Sequence, residues 1–270
     1  MKSSSADKLT VLLRTLKLPS FKAQYEEVGR LADREGWTFA QYLLQLAEAE
    51  IEDRRQRRIE RLLHRSGLPR EKTLATLDQA KLPSKVRRQV ATLCEGGFIQ
   101  RAENVLAFGL PGRGKTHCVG AIGHELVQRG YEVLFQPAFA IVQRLLIAKR
   151  ELSLEKELRR LDRFAVLILD DIGYVQQDRE EMEVLFTLLA ERYERRSVMI
   201  TSNLVFSKWD QIFKDPMTTA AVIDRVVHHS VILELTGESY RSEHAKKRNA
   251  ATSSSAASNT KAKTRKSAEG

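Results

Sequence analysis

The chain has 270 residues, of which 42% are apolar and 30% charged, and its formal net charge is +10. That is enough chain for one or two domains with a sizeable core, and the balance is that of an ordinary water-soluble protein. No N-terminal apolar run reads as a signal peptide and no window approaches a membrane span, so a reduced, cytoplasmic setting is expected, and the positive excess suits a polyanionic partner such as nucleic acid.

From the N-terminus, Leu9, Leu12, Leu13 and Leu16 recur at helical spacing before Pro19 interrupts. A polar helix resumes from Phe21 to Ala32. Thr38, with Gln41 three positions on, predicts the start of the next helix. Its stripe runs through Tyr42, Leu43, Leu46, Ile51, Ile59 and Leu62 until Gly67-Leu68-Pro69 stops it. A last short helix is expected over Pro83–Leu93, and Gly96-Gly97 marks the boundary of an all-helical N-terminal domain, residues 1–97. The texture then changes. Short apolar runs at Val105–Phe108, Val133–Phe135, Ala165–Leu169, Val198–Thr201 and Val231–Leu235 alternate with helical patterns at Lys115–Arg129, Phe139–Lys149, Arg179–Tyr193 and Ala220–Val227. Near-continuous apolar strands separated by helices predict an α/β domain, residues 98–245, with a five-stranded parallel sheet covered on both faces. Residues 246–270 are Ser, Ala, Thr, Lys and Asn-rich with no large apolar side chain. They are expected to be a disordered basic tail.

Three strand ends carry the chemistry. Gly109-Leu110-Pro111-Gly112-Arg113-Gly114-Lys115-Thr116 matches G-x-x-x-x-G-K-[ST], with an apolar strand before it and a helix-compatible stretch after it. The glycines let consecutive N–H groups turn inward, the helix N-terminus favours anions, Lys115 reaches the outer phosphates and the Thr116 hydroxyl serves Mg²⁺. This predicts a nucleoside triphosphate, ATP with Mg²⁺. Asp170 and Asp171 end the apolar run Val166–Leu169. Asp170 fits a metal-holding carboxylate and Asp171 one that polarises water, while Gly173 lets the chain leave the strand tightly. Asn203 follows Val198–Ser202 and is expected at the γ-phosphate or the attacking water. Arg225 has two readings: a cation for the transition state, supplied by a neighbouring subunit, or a surface arginine paired with Asp224. His117 packs structurally or contacts nucleotide or a neighbouring acid. Cys118 reads as a small buried thiol, and neither it nor Cys94 has zinc-site partners.

Arg54, Arg58, Arg61 and Arg65 follow i, i+4, i+7, i+11 and share one helix face. A guanidinium stripe suits phosphate contacts on duplex DNA, weak in sequence preference and salt-dependent. The competing reading is a solvated helix laced with ion pairs, since Glu50 lies four positions before Arg54. Lys85, Arg87 and Arg88 form a weaker second patch.

Taken together, Gly109–His117, Leu167–Tyr174, Ile200–Trp209, Ile223–His229 and Gly237-Glu238-Ser239-Tyr240-Arg241 resemble the AAA+ ATPases, and closely the IstB family of insertion-sequence helper ATPases. The resemblance spans nearly all of residues 8–245 and implies a P-loop AAA+ domain, with Lys115 and Thr116 on phosphate and Mg²⁺. It implies Asp170 as the Walker B metal residue, Asp171 where many members have glutamate, Asn203 as first sensor and Arg225 as arginine finger between subunits. Too few residues follow Leu235 for a full helical lid, and Arg241 is a candidate stand-in for the second sensor. The implied function is a slow ATPase that oligomerises on double-stranded DNA and recruits or stimulates a cognate transposase. A DnaC-type helicase loader is the alternative. A metabolic kinase would need an acceptor pocket that the sequence does not suggest, and an inactive scaffold would not need Lys115, Asp170 and Asp171.

Overall fold

A computed structural model describes residues 5–174, 179–204, 209, 220, 223–224, 226–227 and 229–236. Arg225, the Gly237–Arg241 ending and the 246–270 tail lie outside the described residues. The chain divides into two compact units, Met1–Leu62 and Leu63–Gly270.

The first unit is helical: α1 (Ser5–Thr15), α2 (Pro19–Glu35) and most of α3 (Phe39–Ser66). Pro19 opens α2, where the missing N–H costs nothing. Gly36 ends it in the left-handed conformation, φ 67°, with its N–H on the Ala32 carbonyl. The expected capping box forms: Thr38 N–H donates to Gln41 Oε1 at 2.7 Å and Gln41 N–H to Thr38 Oγ1 at 3.3 Å. Glu50 is buried and organises this unit. It accepts from Ser20 N–H at 2.8 Å and Arg54 Nε at 2.8 Å. Burial alone would raise the Glu50 carboxyl, but the Arg54 and Ser20 hydrogen bonds outweigh it and hold it below its ordinary value.

The second unit starts earlier than the boundary expected at residue 97. Residues 63–97 have helical texture, yet α4 (Ser84–Cys94) packs on the α/β layers, and Gln89 Nε2 donates to the Ile232 carbonyl at 3.1 Å. Periodicity reports a helix but not the core that buries it. A short α5 (Gly97–Gln100) leads to β1 (Asn104–Phe108). Then come α6 (Lys115–Gln128), β2 (Val133–Pro137), α7 (Ala138–Arg150), α8 (Leu154–Leu161) and β3 (Val166–Asp170). A 3₁₀ turn, α9 (Arg179–Arg192), β4 (Ser197–Ser202) and β5 (Ser230–Glu234) complete it. All strand pairs are parallel, in the order β2-β3-β4-β1-β5. The five-stranded parallel sheet is therefore as expected, and β1, β3 and β4 bury nearly every residue because helices cover both faces. The sequence pattern did not show α8. Its Leu154, Leu158 and Leu161 are set among Arg and Glu, but they dock on the core beside α7.

Between α3 and α4 an irregular strap, residues 67–76, lies along α6. A Cβ on Gly120 would sit 3.1 Å from Lys72 Cβ, and one on Gly123 2.7 Å from a Leu68 methyl. His124 Nε2 lies 3.0 Å from the Pro69 carbonyl, and His117 Nε2 3.2 Å from the Thr73 carbonyl and 3.1 Å from Thr76 Oγ1. A carbonyl only accepts, so both Nε2 atoms carry the proton. The small residues admit the strap and the histidines flanking them hold it. Cys94 and Cys118 are buried, and burial pushes their thiols up to about 11 and about 12, which keeps them protonated at neutral pH. No helix of the described residues is long and apolar enough to cross a membrane.

At the opposite end of the sheet from the strand tips, Arg192 closes α9 with a fully buried guanidinium. It donates to the Leu161 carbonyl at 3.1 Å, Phe164 at 2.9 Å and Ser197 at 3.0 Å, tying the end of α8 to the starts of β3 and β4. Burial lowers its pKa to about 10, still far above neutrality, so the charge is retained. Arg192→Met is expected to remove these guanidinium bonds and to destabilise the chain by about 3 kcal/mol. The urea midpoint of unfolding measures it, and a loss below about 1 kcal/mol would show that water replaces the guanidinium.

Candidate functional site

The site is built on the carboxyl ends of three neighbouring strands. Phe108 of β1 pairs with Ser202 of β4, and Leu169 of β3 with Ile200 of β4. Asp170 therefore stands level with Thr201, one step before the tip of β4, and Gly109 leaves β1 beside that tip. Residues separated by tens of positions in sequence reach one edge of the sheet because parallel strands point the same way.

Gly109–Gly114 joins β1 to α6. Gly112 and Gly114 have φ values of 81° and 86°, left-handed turns that fold the loop back toward the helix start. Gly109 is required by a close approach: a Cβ there would lie 2.6 Å from the Leu235 carbonyl oxygen. Lys115, Thr116 and His117 form the first turn of α6. Lys115 is buried, and its ammonium donates to the Gly109 carbonyl at 2.8 Å and the Leu110 carbonyl at 3.3 Å, which places the charge in the mouth of the loop. Leu110 is exposed, and Pro111 and Arg113 complete the turn with Arg113 N–H on the Leu110 carbonyl. The His117 ring turns to the strap at Thr73 and Thr76. Left-handed glycine turns, a helix N-terminus and a buried ammonium make a cradle that fits a chain of phosphates.

Asp170 is the last residue of β3, and Asp171 departs from it in the left-handed region, φ 56°. Aspartate tolerates that conformation better than most residues. Thr201 joins the two acids: its Oγ1 accepts from Asp171 N–H and donates to Asp170 Oδ1, both at 2.7 Å. A pair of carboxylates at a strand tip beside a phosphate cradle fits a hard, oxygen-liganded cation such as Mg²⁺. Asn203 follows β4 in a turn closed by Ser202, whose Oγ donates to the Leu204 carbonyl at 2.9 Å and accepts Leu204 N–H at 3.0 Å. Its Oδ1 is buried without a hydrogen-bond partner. A Cβ on Gly173 would overlap that oxygen, so the glycine expected to ease the chain off β3 also makes room for the Asn203 amide. Sequence reading missed Thr201. The signal for it was a hydroxyl two positions before the asparagine at the same strand end.

On α3, Arg54, Arg58, Arg61 and Arg65 are all exposed, as one face predicts. Arg54 is engaged within its own unit, with Nη2 on the Lys17 carbonyl at 2.7 Å besides its Glu50 bond, so the ion-pair reading holds for that residue. Arg61 Nε bonds the Arg57 carbonyl one turn back. Lys85, Arg87 and Arg88 are exposed on α4.

A family model described as IstB-like ATP binding protein matches residues 11–249. An insertion-sequence ATP-binding protein of Sinorhizobium fredii is 44% identical, covering 87% of this chain and 79% of its own length. The IS21 ATP-binding protein of Pseudomonas aeruginosa is 38% identical, covering 88% and 90%. Among solved structures, DnaI superposes with a TM-score of 0.53 at 20% identity, over 63% of this chain and 96% of that one. AMPPCP-bound DnaA from Aquifex aeolicus gives 0.50 at 19% identity, over 63% and 51%. At those identities the likeness is one of fold alone.

Gly109→Ala is expected to push β1 and the segment after β5 apart and to weaken a fluorescent ATP analogue about tenfold, the equivalent of ~1.4 kcal/mol. Equal affinity for Gly109→Ala and the unaltered chain in a titration would mean that the loop's shape does not depend on this contact.

Proposed function

The chain belongs to the IstB-like ATP-binding protein family, and we propose that it is the ATP-hydrolysing, DNA-binding helper of an insertion-sequence transposase. In this reading ATP drives self-assembly on double-stranded DNA, the assembly recruits or stimulates the cognate transposase, and hydrolysis resets it. One observation carries the DNA half of the proposal: α3 presents exposed Arg58, Arg61 and Arg65 along one face in a chain that also holds a phosphate cradle. The insertion-sequence setting of the relatives supports the transposition half. The likeness to DnaI reaches the fold alone and does not favour helicase loading.

The chain's own groups divide the work as follows. The loop amides of Gly109–Gly114, Lys115 and Thr116 hold the phosphates. Thr116 and Asp170 hold Mg²⁺, which when bound screens charge on the phosphates. Asp171 accepts a proton from the attacking water, and Asn203 orients that water. Arg225 of a neighbouring copy supplies positive charge, so the active site closes only between subunits. An acid one methylene shorter than glutamate and a site completed in trans both favour slow turnover, which suits a switch.

Lys115→Ala is expected to weaken ATP binding by about 10–100-fold, the worth of a lost charge-assisted bond, and to abolish ATP-dependent binding to duplex DNA. Fluorescence anisotropy of a labelled duplex with ATP and with ADP measures it. ATP-dependent binding that survives the change would remove the nucleotide as the switch. Arg58→Ala combined with Arg61→Ala is expected to weaken unrelated duplexes alike and to flatten the slope of log affinity against log salt by roughly 2, about 0.9 for each phosphate contact. A loss confined to certain sequences would show that these arginines read bases instead.

A further inference from the structure

Thr201 is fully buried in β4, one strand away from the acid pair. An amide N–H only donates, so the Thr201 oxygen is the acceptor for Asp171, and its single proton is left for Asp170 Oδ1. The two 2.7 Å bonds do different things. The one to Asp170 ties one carboxylate oxygen and so fixes the rotation of the group about its Cβ–Cγ bond. The one from Asp171 pins the backbone at the residue that turns left-handed, φ 56°, a conformation disfavoured for most residues with a Cβ. β3 thus ends its regular course at a point held by a side chain of β4, and the same hydroxyl sets both acids.

We propose that Thr201 is a positioning residue of the nucleotide site, orienting Asp170 toward the cation and presenting Asp171 to the water. The proposal rests on the ATPase reading above. Thr201 touches neither nucleotide nor water itself, and acts through the acids.

The experiment uses the full chain with Thr201→Val, which removes the hydroxyl at nearly constant shape, and Thr201→Ser, which keeps it. Mn²⁺ affinity is measured by electron paramagnetic resonance with a non-hydrolysable ATP analogue present, beside steady-state ATP turnover and metal-free analogue binding. Thr201→Val is expected to lower Mn²⁺ affinity and kcat by about 10–100-fold, the usual effect of losing a group that orients a metal ligand. Metal-free analogue binding should stay within about threefold, because the phosphate cradle is untouched, and Thr201→Ser should recover most of both losses. Should Thr201→Val fail to fold, Thr201→Ala removes the same hydroxyl without bulk and is judged by the same measurements. Wild-type Mn²⁺ affinity in Thr201→Val, a loss in Thr201→Ser as large as in Thr201→Val, or analogue binding that falls in step with turnover would each overturn the proposal. If the unaltered chain turns over no faster than Lys115→Ala, the ATPase reading fails, while the Mn²⁺ measurement still decides the role of Thr201.

Discussion

Asp170 lies level with Thr201, and Phe108 opposite Ser202, because β1, β4 and β3 are hydrogen-bonded in one parallel register. A shift of one residue would turn every side chain to the other face of the sheet. The hydroxyl of Thr201 would then no longer meet the carboxylate of Asp170, and Asn203 would lose its seat above Gly173. The register is held at the other end as well. Arg192 gathers carbonyls from the starts of β3 and β4, and Asn104 Oδ1 accepts Val198 N–H at 2.9 Å across the starts of β1 and β4. Polar groups buried at one end of the sheet thus keep polar groups aligned at the other.

The phosphate cradle depends on the same frame. Gly109 is the first residue past β1, and it passes the carbonyl of Leu235 because β5 lies beside β1. The loop is thereby anchored to the sheet at its start and to α6 at its end. Lys115 is consequently presented by the first turn of that helix, with its ammonium on the Gly109 and Leu110 carbonyls at the mouth of the loop. The arginine-bearing helix belongs mostly to the other unit, where Glu50 holds the Arg54 guanidinium, and Arg54, Arg58, Arg61 and Arg65 are all exposed along it.

Much of this was legible in the amino-acid sequence for definite reasons. Strands buried on both faces are continuous apolar runs, and a phosphate loop needs glycines at fixed offsets, so β1, β3, β4 and Gly109–Thr116 declare themselves locally. Thr38 and Gln41 do the same for the start of α3. What stayed hidden depends on partners distant in the chain. Gly173 is explained by Asn203, thirty residues on, and Thr201 by Asp170 and Asp171, which a strand pattern cannot pair. The division near residue 62 was hidden because helices on either side of it look alike until their cores are seen. α8 escaped because three leucines among charged residues resemble a solvated helix as much as a docked one. Arg54 had two readings from the start, and Glu50 decided between them only when its own burial was known.

The strap along α6 bears on how this molecule can be taken apart. Residues 67–76 fill a groove that Gly120 and Gly123 leave in that helix, and His117 and His124 close over strap carbonyls. A fragment begun at residue 98, where the sequence texture changes, would lose that covering along with α4. It would expose a lane of small residues on the helix that carries Lys115, and it would strip two histidines of their acceptors. Domain dissection of this chain therefore belongs upstream of Leu68, and the seam suggested by composition cuts through what is physically one body.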